Sequence, residues 1–154
     1  QLHLEWRVPE GVQGRGQTRG NSGLFLSTGG RWGYEVQILE ANDNETYVNG
    51  MAGSVYKQSI PLANPARPPG EWQVFDVLWR APRFDEDGEL TSAARVTVIF
   101  NGVVVQDAFE LPGQTRWIGP PVYEPHGPSP ILLQAHGDPG PMVSFRNIWL
   151  RELR

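Results

Sequence analysis

WGYEVQILE, residues 32–40, alternates apolar and polar side chains with the two-residue period of a β-strand. One face of this strand needs a hydrophobic core, because it carries Tyr34, Val36 and Ile38. The other face carries Glu35, Gln37 and Leu39. In a strand, the Glu35 and Gln37 side chains stand about 7 Å apart and point the same way, which suits the binding of one small polar ligand. The alternative is a half-solvated strand whose outer face is simply polar.

Similar alternating segments recur along the chain. They cover residues 2–8, 23–27, 71–79, 95–100, 103–106, 131–136 and 142–153, with a possible short strand at 54–57. The 18 glycines and 14 prolines fall between these segments, which is typical of a β-rich protein with many turns. Asn101-Gly102 lies between two apolar runs and predicts a hairpin, because both central residues of such a turn need a positive φ. No segment has a helical period, so we predict an all-β fold, an antiparallel β-sandwich or jelly roll.

The composition limits the class of protein. With 154 residues the chain is expected to form one domain, 1–154, that buries a core without disulfides. It has no cysteine, which excludes a thiolate metal site. A net charge of −4 without a basic stripe argues against nucleic-acid binding. No apolar run is long enough to cross a membrane, and no signal peptide is recognisable.

Two segments near the C-terminus complete a candidate site. Gln134 and His136 share one face of the 131–136 strand, and Arg146 lies among apolar residues that place its guanidinium close to the sheet. If these strands are neighbours of the 32–40 strand, one concave sheet presents Glu35, Gln37, Gln134, His136 and Arg146. Such a cluster offers a carboxylate, an imidazole, amides and a fixed positive charge. The alternative is a structural ion pair between Arg146 and Glu35, with His136 merely ending a strand.

Other motifs carry little chemistry. The histidines have no metal-ligand spacing, and residues 85–88 lack the later glutamate of a calcium-binding loop. Ser22 does not stand in the glycine spacing of a nucleophile elbow. We therefore predict no cofactor from the residues, and no metal ligand set is recognisable.

Several short motifs together resemble a known family. In order along the chain they are GNSG (20–23), GYEVQILE (33–40), PPGEW (68–72), NG (101–102), LQAHG (133–137) and FRNIWLREL (145–153). This ordered set resembles the 3-keto-disaccharide hydrolase family, which is common in secreted bacterial proteins. The resemblance implies a concanavalin A-like jelly roll of the lectin/glucanase type, made of two antiparallel sheets. It also implies a periplasmic or extracellular location.

The chain departs from the family pattern at two places. Family domains usually begin with several tens of additional residues, so we expect that some N-terminal strands are lacking and that a sheet edge is left for a homo-oligomer or a partner strand. The family often has an acidic residue where this chain has Ala135. Because Ala135 lies on the face opposite to Gln134 and His136, we expect it not to support catalysis directly.

The resemblance implies cleavage of glycosides whose sugar is oxidised at C3. The ketone acidifies the C2 proton, a base removes it, the C1 aglycone is eliminated, and water then adds. This chemistry needs a base, an acid and donors for the enolate oxygen, and a divalent cation could stabilise the enolate instead of such donors. We expect Glu35 and His136 to be catalytic. The expected substrate-binding residues are Asn21, Gln37, Lys57, Trp72, Gln134 and Arg146.

Two other functions fit the same fold. A jelly roll also serves as a carbohydrate-binding module without catalysis, because fold does not fix function. A domain used for adhesion or assembly is the third possibility. A carboxylate and a histidine in one pocket favour the enzyme, whereas a shallow groove of Trp and Tyr without such a pair favours the binding module.

Overall fold

The computed structural model describes residues 1–27, 33–138 and 140–153. Ten strands are present in this part of the chain: β1 (Leu2–Arg7), β2 (Ser22–Phe25), β3 (Glu35–Ile38), β4 (Gln73–Arg80), β5 (Arg83–Phe84), β6 (Leu90–Ser92), β7 (Arg95–Phe100), β8 (Val103–Glu110), β9 (Leu132–Leu133) and β10 (Ser144–Leu150). The helical structure of the described residues is limited to two short 3₁₀ turns, Gly16–Thr18 and Val48–Gly50. The predicted all-β fold is therefore confirmed.

The strands form two main antiparallel sheets. Five strands lie in the order β10-β1-β4-β7-β8, three in the order β3-β2-β9, and β5 and β6 form a separate hairpin. One hydrophobic core lies between the sheets and takes side chains from both, as a β-sandwich requires. At its centre the Trp6 ring lies 5.4 Å from that of Phe75 and 5.6 Å from that of Phe100.

The alternation of the sequence accounts for this packing. In β1, Leu2, Leu4 and Trp6 are buried, while His3, Glu5 and Arg7 point to the opposite face. The Asn101-Gly102 hairpin between β7 and β8 is also confirmed, with φ values of 48° and 83° at the two turn residues.

The strand predicted at residues 32–40 is shorter than its pattern. Strand β3 covers Glu35–Ile38 and is buried on both faces, with Gln37 only 1% exposed, so a half-solvated strand is the wrong interpretation. Trp32 lies outside the described residues. The segment predicted at 54–57 is not a strand, but it covers the free edge of β3: Gln37 N donates to Ser54 O and Tyr56 N donates to Glu35 O, both at 3.0 Å. The two strands predicted at 131–136 and 142–153 are also shorter in the structure, where β9 and β10 cover only part of them.

Strands β8 and β10 are the two edge strands of the five-stranded sheet. Three large apolar side chains of β10 are exposed: Ile148, Trp149 and Leu150. The partner strand or second copy expected at a sheet edge remains a prediction. No helix in the described part of the chain is long and apolar enough to cross a bilayer.

Candidate functional site

A cavity of about 910 Å³ opens above β2, β3 and β9. Its walls come from four segments that are distant in sequence: the 3₁₀ turn at 16–18, the connection after β3, the loop after β8, and the residues around β9. The lining side chains are Gln17, Thr18, Asn21, Phe25, Glu35, Gln37, Tyr47, Tyr56, Thr115, Trp117, Leu132, Gln134 and His136, beside Gly33. The structure thus brings Glu35, Gln37, Gln134 and His136 to one cavity, together with Asn21.

Glu35 lies on the cavity face of β3, and its side chain is almost entirely buried. No Lys, Arg or His of the described residues forms an ion pair with it. Burial without a cationic partner raises the pKa of Glu35 to about 8. The carboxyl also needs Gly23 on the neighbouring strand, because a Cβ there would lie 2.6 Å from Glu35 Oε1. A carboxyl that stays neutral at pH 7 can donate a proton, which an ordinary glutamate cannot.

Side-chain amides form a hydrogen-bonded group beside Glu35 in the cavity. Gln37 Nε2 donates to Gln17 Oε1 at 2.9 Å and lies 3.4 Å from Asn21 Oδ1. Gln17 in turn donates to Gly50 O at 2.9 Å, which ties the 3₁₀ turn to the loop on the far side of the cavity. These bonds fix the positions of polar groups that line the cavity.

His136 is held by a carboxylate. Its Nδ1 lies 3.0 Å from Asp138 Oδ2, so Nδ1–H donates to Asp138 and Nε2 is left to accept a proton. The ring lines the large cavity and also a smaller one of about 230 Å³ next to it. An imidazole oriented by a carboxylate is the arrangement of a general base.

One wall of the cavity is aromatic. The hydroxyl groups of Tyr47 and Tyr56 form a hydrogen bond of 2.5 Å, and burial raises the pKa of the Tyr56 phenol. Lys57 lies at the rim, with its Nζ 5.6 Å from the Tyr47 ring and 3.0 Å from Trp117 O, to which it donates. Trp117 is two-thirds exposed, at 66%. Aromatic rings beside polar groups suit the faces and hydroxyls of a sugar.

Gln134 follows β9 and contributes an unused acceptor. Its backbone is fixed, because Gln134 N donates to Gly23 O at 2.9 Å and Ser22 Oγ donates to Gln134 O at 2.6 Å. Its side-chain Oε1 is buried and has no hydrogen-bond partner among the described residues. A buried oxygen without a donor is unfavourable unless a ligand supplies one.

The structure separates two expected residues from this cavity. Arg146 lies on β10, which pairs with β1, and its Nε donates to Glu5 Oε2 at 2.6 Å. Its guanidinium stacks on Trp72 at 3.9 Å, and Arg7 lies over the same ring at 4.7 Å. The expectation that Arg146 projects beside Glu35 is therefore wrong, as is the ion pair between them, since the five-stranded sheet carries Arg146 on its outer face. Trp72 also does not line the cavity.

Sequence reasoning missed several residues of the site. Gln17 lies in a 3₁₀ turn, and Tyr47, Thr115 and Trp117 lie in irregular segments. Side-chain alternation gives no information in either. Asp138 had a usable signal, because it stands two residues after His136. No group of three or more His, Asp or Glu side chains in the described ranges is placed to hold a metal ion. The divalent cation thus finds no ligand set among these residues and remains a prediction.

A β-sandwich whose cavity combines a carboxyl, an imidazole and an aromatic wall is compatible with a carbohydrate-active domain. The chain belongs to the 3-keto-alpha-glucoside-1,2-lyase-like domain family, whose sequence profile matches residues 1–151. The resemblance to the 3-keto-disaccharide hydrolase family is thereby confirmed.

Solved structures from Parabacteroides distasonis ATCC 8503 share the fold. One, described as a "putative glycosyl hydrolase", has 55% sequence identity and a TM-score of 0.93 over 99% of this chain and 63% of its own. Two others with the same description have 21% and 19% identity, TM-scores of 0.62 and 0.63, and cover 96% and 99% of this chain and 66% and 77% of their own. The chain thus spans less than two-thirds of the first of these proteins. No curated protein sequence matches the chain.

Proposed function

We propose that this domain cleaves 3-keto-glycosides by elimination of the C1 aglycone followed by addition of water. The observation that carries the proposal is the presence of a buried, unpaired Glu35 and an Asp138-oriented His136 in one cavity. The family match supports the substrate class.

The chemistry follows from the C3 ketone. Removal of the C2 proton gives an enolate, whose electron pair forms the C1–C2 double bond as the C1–O bond breaks. The departing oxygen takes a proton and leaves as an alcohol. Water then adds across the double bond, with its oxygen at C1 and a proton at C2, and gives the free 3-keto sugar. The site must therefore supply one base and one acid, and Glu35 and His136 divide these roles.

The remaining side chains fit the substrate. Gln37, Gln134 and Asn21 offer amide groups to sugar hydroxyls. Lys57 Nζ donates to the backbone oxygen of Trp117, whose residue lines the cavity, and we assign this cation to the oxygen that develops negative charge. A volume of about 910 Å³ is enough for a sugar and its aglycone.

The test uses an aryl 3-keto-α-glucoside with a chromogenic aglycone and the unoxidised parent glycoside. We expect aglycone release from the keto compound alone, and one deuterium at C2 of the product in D₂O, because the elimination passes through C2. Glu35→Gln and His136→Ala should each lower kcat/KM by roughly 100-fold or more. Arg146→Ala is the matched control and should stay within about twofold, since Arg146 lies on the other sheet. Release from the unoxidised parent, or product without deuterium, would contradict the elimination.

A carbohydrate-binding module is the second candidate, favoured by the exposed Trp117 beside Tyr47 at the cavity mouth. In that case the keto sugar binds with intact Glu35 and His136 but no aglycone is released. A periplasmic or extracellular location is part of the proposal and rests on the family.

A further inference from the structure

Two amides near Glu35 have orientations fixed by backbone carbonyls. Gln17 donates from Nε2 to Gly50 O at 2.9 Å, and Asn21 donates from Nδ2 to Gln17 O at 2.7 Å. A carbonyl oxygen can only accept, so the nitrogen of each amide must lie on the carbonyl side. The oxygens Gln17 Oε1 and Asn21 Oδ1 consequently face the same terminal atom of Gln37, at 2.9 Å and 3.4 Å.

These two oxygens orient Gln37 as well. The atom that faces them has to be Nε2, which leaves Gln37 Oε1 at the other end, 3.2 Å from Glu35 Oε1 and 3.3 Å from Ser22 O. The reverse orientation would let Gln37 donate to Glu35 and Ser22, but its oxygen would then lie 2.9 Å from Gln17 Oε1 with no proton between them. That oxygen–oxygen contact is closer than the 3.3 Å between Gln37 Oε1 and Ser22 O in the orientation described. Because Gln37 is 1% exposed, water does not relieve that contact.

We infer that Glu35 holds a proton that it donates to Gln37 Oε1, and that Gln17 and Asn21 are positioning residues that keep it in this acid form. The inference rests on the proposed function and deepens it: Glu35 is the acid that protonates the departing C1 oxygen, and His136 Nε2 is the base that takes the C2 proton. Burial raises the pKa of Glu35, which agrees with this assignment.

The protons balance over one turnover. Elimination leaves Glu35 as a carboxylate and His136 as an imidazolium. The imidazolium exchanges its proton with solvent. When water attacks C1, Glu35 takes one proton from it and the imidazolium gives a solvent-derived proton to C2, which resets both groups. The Glu35 carboxylate faces Gln37 Oε1 at this stage, and this repulsion favours its reprotonation.

Other charged or titratable groups share this region. From the segments packed around Glu35, they are Tyr47, Tyr56, Lys57, Arg116, His136 and Asp138. Arg116 is paired with Glu124 and Asp138 with His136. The orientation of Gln37 is set by neutral amides, so it persists when these groups titrate.

The test is a carbon-13 NMR titration of protein labelled at glutamate Cδ, which needs no substrate. The Glu35 resonance is identified by its loss in Glu35→Gln. We expect Glu35 to be protonated at pH 6.5 and to have the highest midpoint of the glutamates. Gln17→Met frees Gln37 to reverse and donate to the carboxyl, so the Glu35 midpoint should fall by at least about one pH unit. The alkaline limb of kcat should move by the same amount.

Gln106→Met is the matched control. Gln106 is a buried amide that donates to Gly53 O and does not line the cavity, so its loss should leave the Glu35 midpoint unchanged. Asn21→Leu provides a second variant, with a downward shift expected, in case Gln17→Met fails to fold. A Glu35 signal that is ionised at pH 6.5, or a midpoint that neither variant moves, overturns the inference. A substrate class that is wrong leaves this titration unaffected and appears instead as the absence of aglycone release.

Discussion

Neutralising Glu35 is expected to stabilise the fold in a way that grows with pH. In the folded state its carboxyl has a pKa of about 8, against 4.5 in the unfolded chain. Between these values the folded state binds more protons than the unfolded state, so the free energy of unfolding falls as the pH rises. Glu35→Gln keeps the shape and removes the titration, and should therefore abolish this slope.

The size of the effect follows from the two pKa values. The pKa of Glu35 is about 3.5 pH units higher in the folded than in the unfolded state. At a pH where the carboxyl is ionised in both states, this difference lowers the free energy of unfolding by about 5 kcal/mol. Between pH 5 and pH 9 the stability of Glu35→Gln relative to the unchanged protein should thus rise by about 4 kcal/mol. The rise should be smaller when Glu35→Gln is made in the Gln17→Met background, where Gln37 is free to reverse and donate to the carboxylate.

The measurement is urea unfolding of both proteins at several pH values, followed by tryptophan fluorescence. Glu5→Gln is the control, because hydrogen bonds from Asn147 and Arg146 lower the pKa of Glu5, and its difference from the unchanged protein should be flat over this range. A Glu35→Gln difference that stays within about 1 kcal/mol from pH 5 to pH 9 would refute the claim that the carboxyl is desolvated.

Two further predictions concern the geometry of the site. Gly23→Ala places a Cβ 2.6 Å from Glu35 Oε1, so the carboxyl must move. We expect kcat to fall by about 100-fold while the unfolding midpoint changes little. A kcat within about threefold of that of the unchanged protein would show that the position of Glu35 is not critical. Asp138→Asn leaves His136 without a carboxylate at Nδ1. In steady-state kinetics we expect kcat to fall by roughly 10- to 100-fold, with KM within about twofold. Ala135→Ser is a neighbouring change that keeps Asp138, and an equal loss of kcat in this control would indicate loop disruption instead.

Alternation predicted which side of β1 and β3 faces the core, because a period of two is visible within a few residues. It placed Val36 and Ile38 in the core and Glu35 and Gln37 together on the other face, and the structure agrees. The hairpin at Asn101 was predicted from the turn residues themselves, because Asn-Gly suits the positive φ that both central positions need.

The order of the strands in the sheets is what alternation could not supply. Arg146 and His136 are ten residues apart in sequence, yet β9 joins β2 in one sheet and β10 joins β1 in the other. The partners of Arg146 are Glu5 and Trp72, which no local pattern connects to it. The aromatic wall was invisible for a related reason: Tyr47 and Trp117 lie in irregular segments whose positions depend on long-range contacts.

The place of β1 in its sheet affects how a growing chain reaches the folded state. Strand β1 is made before both of its partners, because it pairs with β4 on one side and with β10 on the other. At a synthesis rate of roughly 5–20 residues per second, the edge that β10 will cover stays open for about 7–30 seconds. An open edge can pair with another chain, so the interval before β10 emerges is the period in which a nascent copy is most exposed to aggregation.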